Sequence, residues 1–448
     1  MKHATLSHSL PSHRAYLALA LPLTISTITT PLLGAADTAI IGHLNNPAYL
    51  GGVAVGTLIF NTLYWLFGFL RVSTSAFTAQ AAGAGDRDEG IAALVRPMII
   101  ALLIGMVFIA LQQPILHAAL YLVGPEPDVA AQAAQYFDIR IWGAPLTLLN
   151  YVLVGWLMGQ TRLKATLTVQ IMMNVLNIAL DFVFVKVFHW DVAGVAAATL
   201  IAEAFGCALG MLLIVRSTMW RQWRAGSHAK WKQWFRRSQW TRIMSANSDL
   251  MIRTVCLLVM FNLFTSQSAG LGTDVLAANA ILLQLHYMMA YFFDGFGNAS
   301  SIYAGQARGA GNAQLLRRSL RLSWIWTAII ALAISLLYWW MRIPLVGLFT
   351  EHAGVQDLAA AYSHWLIWFP LAASCGLVFY GVFTGMTMTA PVRNSMLISL
   401  ALYLVAVWAL VPAYANNGLW LSFIVFALGR SVFLVLYIPR LIRKFDRT

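Results

Sequence analysis

Carboxyl and amide side chains stand within an apolar stretch near residue 180, where each is costly to bury. Asp181 follows Asn177 by one helical turn, and steps of three and four residues place Gln170 and Asn174 on the same helix face. A polar stripe on an apolar helix must face protein or water rather than lipid. The pattern predicts a cavity-lining group that takes up a proton or a cation. The alternative is a contact between helices held by satisfied hydrogen bonds.

A second carboxyl, Asp37, occupies another apolar stretch and shares a helix face with Ser26 and Thr30. Pro22 and Pro31 interrupt this helix, so we expect it to bend. A carboxyl that gains and loses a proton can carry that proton through a conformational cycle. The alternative is an exposed carboxylate near the outer end of the helix.

Thr199 and Glu203 stand one turn apart in a later stretch that is rich in small residues. If their helix is a neighbour of the helix that carries Asn177 and Asp181, Thr199 completes a polar cluster with them. Glu203 can equally pair with a cation, so its role is left open.

The second half of the chain offers fewer such groups. Asp294 opens the segment Asp-Gly-Phe-Gly-Asn, and Tyr380 is one of several aromatic residues in apolar stretches that can line a cavity for an apolar or cationic solute. Arg253 follows Asp249 by one turn, and we expect the two to form an ion pair.

Membrane-spanning helices must carry these residues. The hydrophobic share is 60% and the charged share 10%, whereas soluble domains have about 25% charged residues. A span needs about 20 apolar residues, and the continuous apolar runs exclude the short alternating segments of a β-barrel. Twelve spans are predicted near residues 15–41, 50–82, 92–117, 130–158, 163–188, 191–215, 240–266, 274–306, 319–341, 359–386, 392–413 and 416–439.

The net charge of +13 is distributed as a topology signal rather than as a nucleic-acid surface. With the N-terminus in the cytoplasm, nearly all loop cations fall on the cytoplasmic side, as the positive-inside rule requires. Both termini are then cytoplasmic. The basic, tryptophan-rich segment 216–242 is predicted to be an amphipathic connector on the inner leaflet.

The chain repeats itself at half its length. Residues 78–86 reappear as residues 304–312, and the glycines at 155 and 159 reappear at 381 and 385, always at the same offset. Six spans in each half give both halves the same orientation, so we predict two parallel six-helix lobes, residues 1–215 and 240–448, joined by a basic linker, residues 216–239. Paired halves are how transporters build a central site that opens to either side.

Motifs of enzymes are absent from the sequence: it has no phosphate loop, no nucleophile elbow and no zinc-binding motif. The three cysteines lie in different spans without metal-ligand spacing, and small apolar packing residues are the better interpretation. We therefore expect no enzyme activity and no cofactor.

At these residues the chain resembles the multidrug and toxic compound extrusion (MATE) family, in particular its DinF-like branch. The resemblance runs from about residue 17 to residue 440. It rests on the segments PLLGAADTAIIGHL, YLGGVAVG, FTAQAAGAGD, GWLMGQTR, NVLNIALDFVFV, GVAAATLIAE, DGFGNASSIYAGQARGAG and RNSM. It implies twelve helices in two lobes that form a V around a central cleft, and secondary active efflux coupled to H⁺ or Na⁺.

The resemblance also implies roles for individual residues. The family's acidic position in the first helix falls on Asp37, its Asn-x3-Asp pair on Asn177 and Asp181, and its sixth-helix threonine on Thr199. These four are the expected ion-coupling residues, and the last three would be the metal ligands only if the ion is Na⁺. Two more positions match the family, the first-helix proline at Pro22, about which the helix is thought to bend, and a fourth-helix polar position at Asn150.

Two departures from the family pattern lie in the second half. Ser301 takes the place of a glutamate, and Tyr380 takes the place of an aspartate, so coupling is expected to rest on the first lobe. An accessory or poorly coupled transporter therefore remains an alternative.

The expected function is export of small drug-like solutes, cationic or amphipathic, by a monomer in a bacterial inner membrane, with membrane lipid and the solute as its partners and no nucleic acid. One alternative is a flippase for lipid-linked oligosaccharides, which needs Arg71, Arg140 and Arg253 to line the cleft. An intramembrane enzyme and a structural scaffold are the others.

Overall fold

The computed structural model describes residues 10–41, 47–225, 234–350 and 352–446, and the side chains of residues 29–41, 47 and 225 lie outside the described part. Every regular element within these ranges is helical. A 3₁₀ turn (Ile141–Gly143) and a π-helical turn (Phe182–Val187) accompany the α-helices. These are α1 (His13–Ile41), α2 (Pro47–Leu66), α3 (Phe69–Ala84), α4 (Arg87–Ala110), α5 (Gln112–Val123), α6 (Pro127–Arg140), α7 (Ala144–Gly159), α8 (Leu163–Asp181), α9 (Asp191–Val215), α10 (Thr218–Ala225), α11 (Arg237–Gly270), α12 (Thr273–Gly309), α13 (Ala313–Gly347), α14 (Ala353–Tyr362), α15 (Trp365–Gly385) and α16 (Ala390–Phe445).

Ten stretches in the described residues are long and apolar enough to cross a membrane. α1 has 29 residues, which is long enough for a further span. α16 is 56 residues long, but a backbone break at Ala415 (φ 46°, ψ −125°) divides it into two helices, each long enough to span. The predicted all-α fold with twelve transmembrane helices is confirmed.

The repeat predicted from the sequence recurs in the helices. The offset that separates Gly155 from Gly381 also separates the start of α2 from that of α12, the start of α4 from that of α13, and the start of α6 from that of α14. The ends of α7 and α15, at Gly159 and Gly385, are related in the same way. One offset shared by four helix ends shows that one helical pattern is used twice.

The repeated glycine motif is a tight connection between helices. Gly85 and Gly311 end their helices in the left-handed region, with φ of 67° and 60°, which glycine adopts without a steric penalty. The next residue, Asp86 or Asn312, caps the following helix, because its side-chain oxygen accepts a hydrogen bond at 2.9 Å from the backbone N–H three residues later. Asp and Asn are therefore equivalent at this position of the repeat.

A second repeated device is a close helix crossing at glycine. A Cβ atom added at any of four glycines would collide with a backbone carbonyl of the neighbouring helix. The contacts pair Gly155 with Arg71, Gly159 with Ser75, Gly381 with Gly297 and Gly385 with Ser301. Only glycine lets the backbones approach this closely, so both units depend on it.

The contacts between residues divide the described chain into two compact units. The first unit comprises residues 28–242, and the second comprises the described residues between Met1 and Thr27 and between Ile243 and Thr448. The first half of α1 belongs to the second unit, where the hydroxyl of Thr27 donates a hydrogen bond to the carbonyl of Tyr291 at 2.8 Å. The predicted lobes are defined by the repeat rather than by contact, and they stay a prediction.

Residues 218–225 of the predicted linker form α10, and residues 226–233 lie outside the described part. Trp223 packs between Trp220 and Trp234, with ring centroids 5.3 and 5.8 Å apart. The guanidinium Nε of Arg96 donates to the carbonyl of Trp234 at 2.9 Å, which ties the end of the linker to α4. Its place on the membrane surface stays a prediction.

Candidate functional site

In the first unit, α8 and α9 bring three of the predicted site residues together. Asn177 and Asp181 lie one turn apart on α8 and are buried, with 1% and 0% of their surfaces exposed. The amide Nδ2 of Asn177 donates to the hydroxyl of Thr199 on α9 at 3.3 Å. That hydroxyl donates in turn to the carbonyl of Val195 at 2.9 Å. α8 and α9 are therefore neighbours, as the predicted polar cluster of Asn177, Asp181 and Thr199 requires.

The amide oxygen of Asn177 is buried and accepts no hydrogen bond from any residue that the structure describes. It lies in a group that also contains the carboxyl of Asp181 one turn away and the hydroxyl of Thr199. Oxygen atoms of these three kinds accept protons and bind hard cations. This arrangement can hold either H⁺ or an oxygen-coordinated cation such as Na⁺.

The backbone changes its winding directly after Asp181. α8 ends there, and the π-helical turn follows, in which the N–H of Phe188 donates to the carbonyl of Val183 at 3.0 Å. Such turns are frequent at functional sites in α-helices. The earlier members of the predicted polar stripe, Gln170 and Asn174, are half-buried on preceding turns of α8.

The first helix carries two predicted residues. Pro22 is half-buried in α1, which runs as one continuous helix from His13 to Ile41. The role of Pro22 in bending the helix stays a prediction. Asp37 belongs to the same helix, but its side chain lies outside the described residues.

A buried ion pair, which the sequence did not predict, lies in the first unit. Both guanidinium Nη atoms of Arg140 on α6 donate to the carboxylate of Glu203 on α9, at 2.8 and 2.9 Å. The guanidinium also lies over the rings of Phe60 and Tyr64, 5.4 and 5.8 Å from their centroids. This pair settles the open role of Glu203. The signal available from the sequence was two opposite charges inside spans, each of which needs a partner.

Asn150, predicted as a possible cavity-lining residue, is buried beside this pair. Its Nδ2 donates to the backbone carbonyl of Glu203 at 2.9 Å, and its Oδ1 receives no hydrogen bond within the described chain. Asn150 thus holds α7 against α9.

The second unit places the remaining candidates on α12 and α15. Asp294 is half-buried and accepts a hydrogen bond from Nδ2 of Asn298 at 3.2 Å. Ser301 is buried at the crossing with Gly385. Tyr380 is buried, and its ring receives the guanidinium of Arg253 at 4.0 Å from the centroid.

The expected ion pair between Asp249 and Arg253 is wrong. One carboxylate oxygen of Asp249 accepts from Nη1 of Arg393 at 2.7 Å, and the other accepts from the hydroxyl of Thr389 at 2.7 Å. Both partners stand at the start of α16, so tertiary contacts override the spacing of one turn within α11. Arg253 turns to the aromatic ring of Tyr380 instead.

In the described ranges, no three side chains of His, Cys, Asp or Glu lie close enough together to bind a metal ion. The predicted Na⁺ ligands do not depend on such a group, because they comprise one carboxylate, one amide and one hydroxyl. The three cysteines are free thiols.

Comparison with known proteins gives consistent results. The family model MatE matches residues 22–183 and 250–409. The chain is 37% identical over 423 residues to DNA damage-inducible protein F of Escherichia coli, which covers 94% of this chain and 91% of that protein. It is 25% identical over 447 residues to multidrug and toxin extrusion protein 1 of the rabbit, with 96% and 75% covered.

The fold is also found among solved structures. An outward-facing multidrug resistance MATE family transporter of the MOP superfamily superposes with a TM-score of 0.87 at 19% identity, covering 100% of this chain and 99% of that one.

Proposed function

Because the chain belongs to the MatE family of membrane transporters, we propose that it exports small organic solutes in exchange for H⁺ or Na⁺. The observation that carries the coupling part of this proposal is the hydrogen bond between Asn177 and Thr199 beside the fully buried Asp181. A carboxyl placed inside a membrane protein among polar oxygens is a site that can change its charge without meeting lipid.

The proposed cycle follows from that charge change. In the outward-facing state Asp37 and Asp181 take up H⁺, or Asp181 takes up Na⁺ with Asn177 and Thr199. Loss of negative charge favours bending of α1 at Pro22, and the solute leaves outward. Release of the ion on the inner side restores the carboxylates. Exchange is obligatory only if the ion and the solute each bind the two states with different affinity.

Transport in proteoliposomes tests the role of Asp181. Asp181→Asn keeps the shape of the side chain but cannot ionise, so gradient-driven efflux should be abolished while the protein stays folded. Asp128→Asn, an exposed carboxyl at the start of α6 in the same unit, is the matched control and should transport normally. Unchanged transport by Asp181→Asn refutes the assignment.

Thr199→Val separates the two coupling ions. The substitution removes one hydroxyl oxygen and keeps the shape of the side chain. Na⁺ needs several oxygen ligands, so Na⁺-driven efflux should fall steeply, whereas a proton needs only the carboxyl and H⁺-driven efflux should persist. Efflux is measured with a sodium gradient and a proton gradient applied separately.

The flippase alternative has less support. It requires Arg71, Arg140 and Arg253 to be available for a pyrophosphate, but both Nη atoms of Arg140 are engaged by Glu203. The multi-pass membrane location follows from the family and the helices. We propose further that the membrane is a bacterial inner membrane and that both termini are cytoplasmic, which the basic loops support.

A further inference from the structure

We propose that the second unit holds a binding site for an anionic group of the exported solute, formed by Arg253 and Arg430 beside Tyr380. This inference rests on the proposed function, since it names the class of solute. It changes the expected solute from cationic to anionic and amphipathic.

Both arginines lie near the middle of helices that span the membrane, Arg253 in α11 and Arg430 in the second half of α16. Arg430 is 7% exposed, and Arg253 is half-buried. Cationic side chains at this depth are costly and rare, and those that persist mark functional sites. Neither stands at a helix end, where a long side chain reaches the membrane surface.

The side chains of Arg253 and Arg430 both contact one face of α15. Gly376 and Tyr380 are one turn apart on this helix. A Cβ at Gly376 would lie 3.0 Å from both Cγ and Nε of Arg430, so the glycine makes room for that side chain. The guanidinium of Arg253 stacks on Tyr380, one turn further on. The two guanidinium groups are thus held on successive turns and act on each other as like charges.

Within the described residues, neither guanidinium has a carboxylate partner or a hydrogen-bond acceptor. The Nε of Arg430 is buried and unsatisfied. The nearest acid on α11, Asp249, is fully engaged by Arg393 and Thr389. A buried charge without a partner is strongly destabilising, so the buried Arg430 beside the half-buried Arg253 calls for an anion that the described residues do not supply.

The fold does not require these charges. At the spacing of the repeat, the first half of the sequence has Thr27 where the second half has Arg253, and Ala204 where the second half has Arg430. The two halves of the sequence form matching helices with and without these cations, so the arginines serve something other than the fold.

Guanidinium groups offer five N–H donors each in a planar fork that matches a carboxylate, sulfonate or phosphate. Stacking on Tyr380 occupies one face of Arg253 and leaves its N–H edge for such a group. The phosphates of bilayer lipids lie at the membrane surface, far from the middle of a span. The lipid-linked pyrophosphate of the flippase alternative would also need Arg140, which Glu203 engages. We therefore assign the site to an organic acid that enters the protein rather than to a lipid headgroup.

Calorimetry on the full chain in phosphatidylcholine nanodiscs tests the site with three probes of one shape: 2-naphthoate, the neutral 2-naphthamide and a naphthylmethyl-trimethylammonium salt. Naphthoate should bind best. Arg430→Gln and Arg253→Gln should each weaken naphthoate binding by about tenfold or more, since a hydrogen bond to a charged group is lost, and Arg430→Lys should weaken it less. Arg440→Gln is the matched control, because Arg440 is exposed on the same helix and also stacks on an aromatic ring, that of Tyr437, at 5.4 Å.

A second readout separates a ligand site from a structural role. Arg430→Gln removes an uncompensated buried charge, so its thermal midpoint should rise while binding falls. The proposal is overturned by equal affinity for naphthoate and naphthamide, by naphthoate binding that survives Arg430→Gln, or by a lower midpoint in both Arg430 variants. It is also overturned if phosphatidylglycerol in the nanodisc, and not naphthoate, stabilises the protein through Arg430.

The coupling role proposed for Asp181 can be refuted without refuting the anion site at Arg253 and Arg430. Asp181→Asn should still bind naphthoate in an Arg430-dependent way, although with a shifted affinity, because Asp181 belongs to the other unit and does not contribute to this site. Intact efflux by Asp181→Asn together with Arg430-dependent binding would refute the coupling assignment alone.

Discussion

Replacing Glu203 should destabilise the first unit by more than replacing an exposed charged residue does. The carboxylate of Glu203 accepts two hydrogen bonds from Arg140, and the two side chains are 10% and 9% exposed. If Glu203 becomes methionine, the guanidinium keeps its aromatic neighbours Phe60 and Tyr64 but loses its only opposite charge in the described surroundings.

The magnitude follows from the burial of the pair. Breaking a buried ion pair from one side costs about 3–5 kcal/mol, because the remaining charge stays desolvated. The exposed pair between Arg317 and Asp446 has a similar distance, 2.9 Å, but its side chains are 61% and 38% exposed. Water and salt screen such a pair, which contributes at most about 1 kcal/mol. Replacing both Arg140 and Glu203 by methionine removes both charges and should cost far less than either single change.

Unfolding by dodecyl sulfate in mixed micelles, followed by circular dichroism, gives the free energies of the two single variants and the double variant. Asp446→Met is the exposed control. The coupling energy in this cycle should be several kcal/mol. A cost for Glu203→Met no greater than that for Asp446→Met, or additive costs in the double variant, would show that the buried pair does not hold α6 to α9.

Two further predictions concern the repeated elements. Gly381→Ala should abolish the yield of monodisperse protein in size-exclusion chromatography, because its Cβ would collide with the carbonyl of Gly297. The control Gly354→Ala, whose added Cβ would have nothing within 4 Å, should be neutral or stabilising by up to about 1 kcal/mol. Similar yields of the two variants would contradict the close helix crossing. Asp86→Ala and Asn312→Ala should each lower the free energy of unfolding by about 1 kcal/mol, since each removes the same kind of helix cap. If only one of the two substitutions lowers the free energy of unfolding, the two caps are not equivalent.

Much of the fold was predictable because membrane helices are recognisable from local sequence. Apolar runs of sufficient length indicated the twelve spans, and the constant offset between matching segments indicated the repeat. The structure adds the reason for the matching segments: the Gly-Asp and Gly-Asn pairs are the same turn and cap. The division of α1 between the contact units was not predictable, since it depends on hydrogen bonds to α12 between residues far apart in the sequence, such as that of Thr27 to Tyr291.

The candidate site was predictable where its residues share one helix and not where they meet across helices. The spacing of Asn177 and Asp181 predicts one polar helix face, and the family resemblance adds their coupling role. From the residues alone, Thr199 joins them only on the condition that α9 is a neighbour. Glu203 had no assigned partner, because Arg140 lies 63 residues away in the sequence. The same limitation made the local pairing of Asp249 wrong, since its partner Arg393 is 144 residues away.

The two units differ in charge at corresponding positions, and this difference constrains how exchange can work. At the offset of the repeat, the buried Asn177 and Asp181 correspond to Tyr403 and Val407, while Arg430 corresponds to Ala204. At these described positions, the polar groups that could bind a cation lie in the first unit and the guanidinium group that could bind an anion lies in the second. If both proposals hold, ion and solute do not displace each other from shared ligands.

Coupling must then come from a change of state that both sites bias, because ligands at separate sites influence each other only through different affinities for two conformations. Such linkage is reciprocal. Naphthoate affinity measured with Asp181 neutral, as in Asp181→Asn, should differ from that of the wild type at neutral pH by the same factor by which naphthoate shifts the affinity for the coupling ion. Identical naphthoate affinities in the two proteins would mean that the sites are independent and that this mechanism of exchange is wrong.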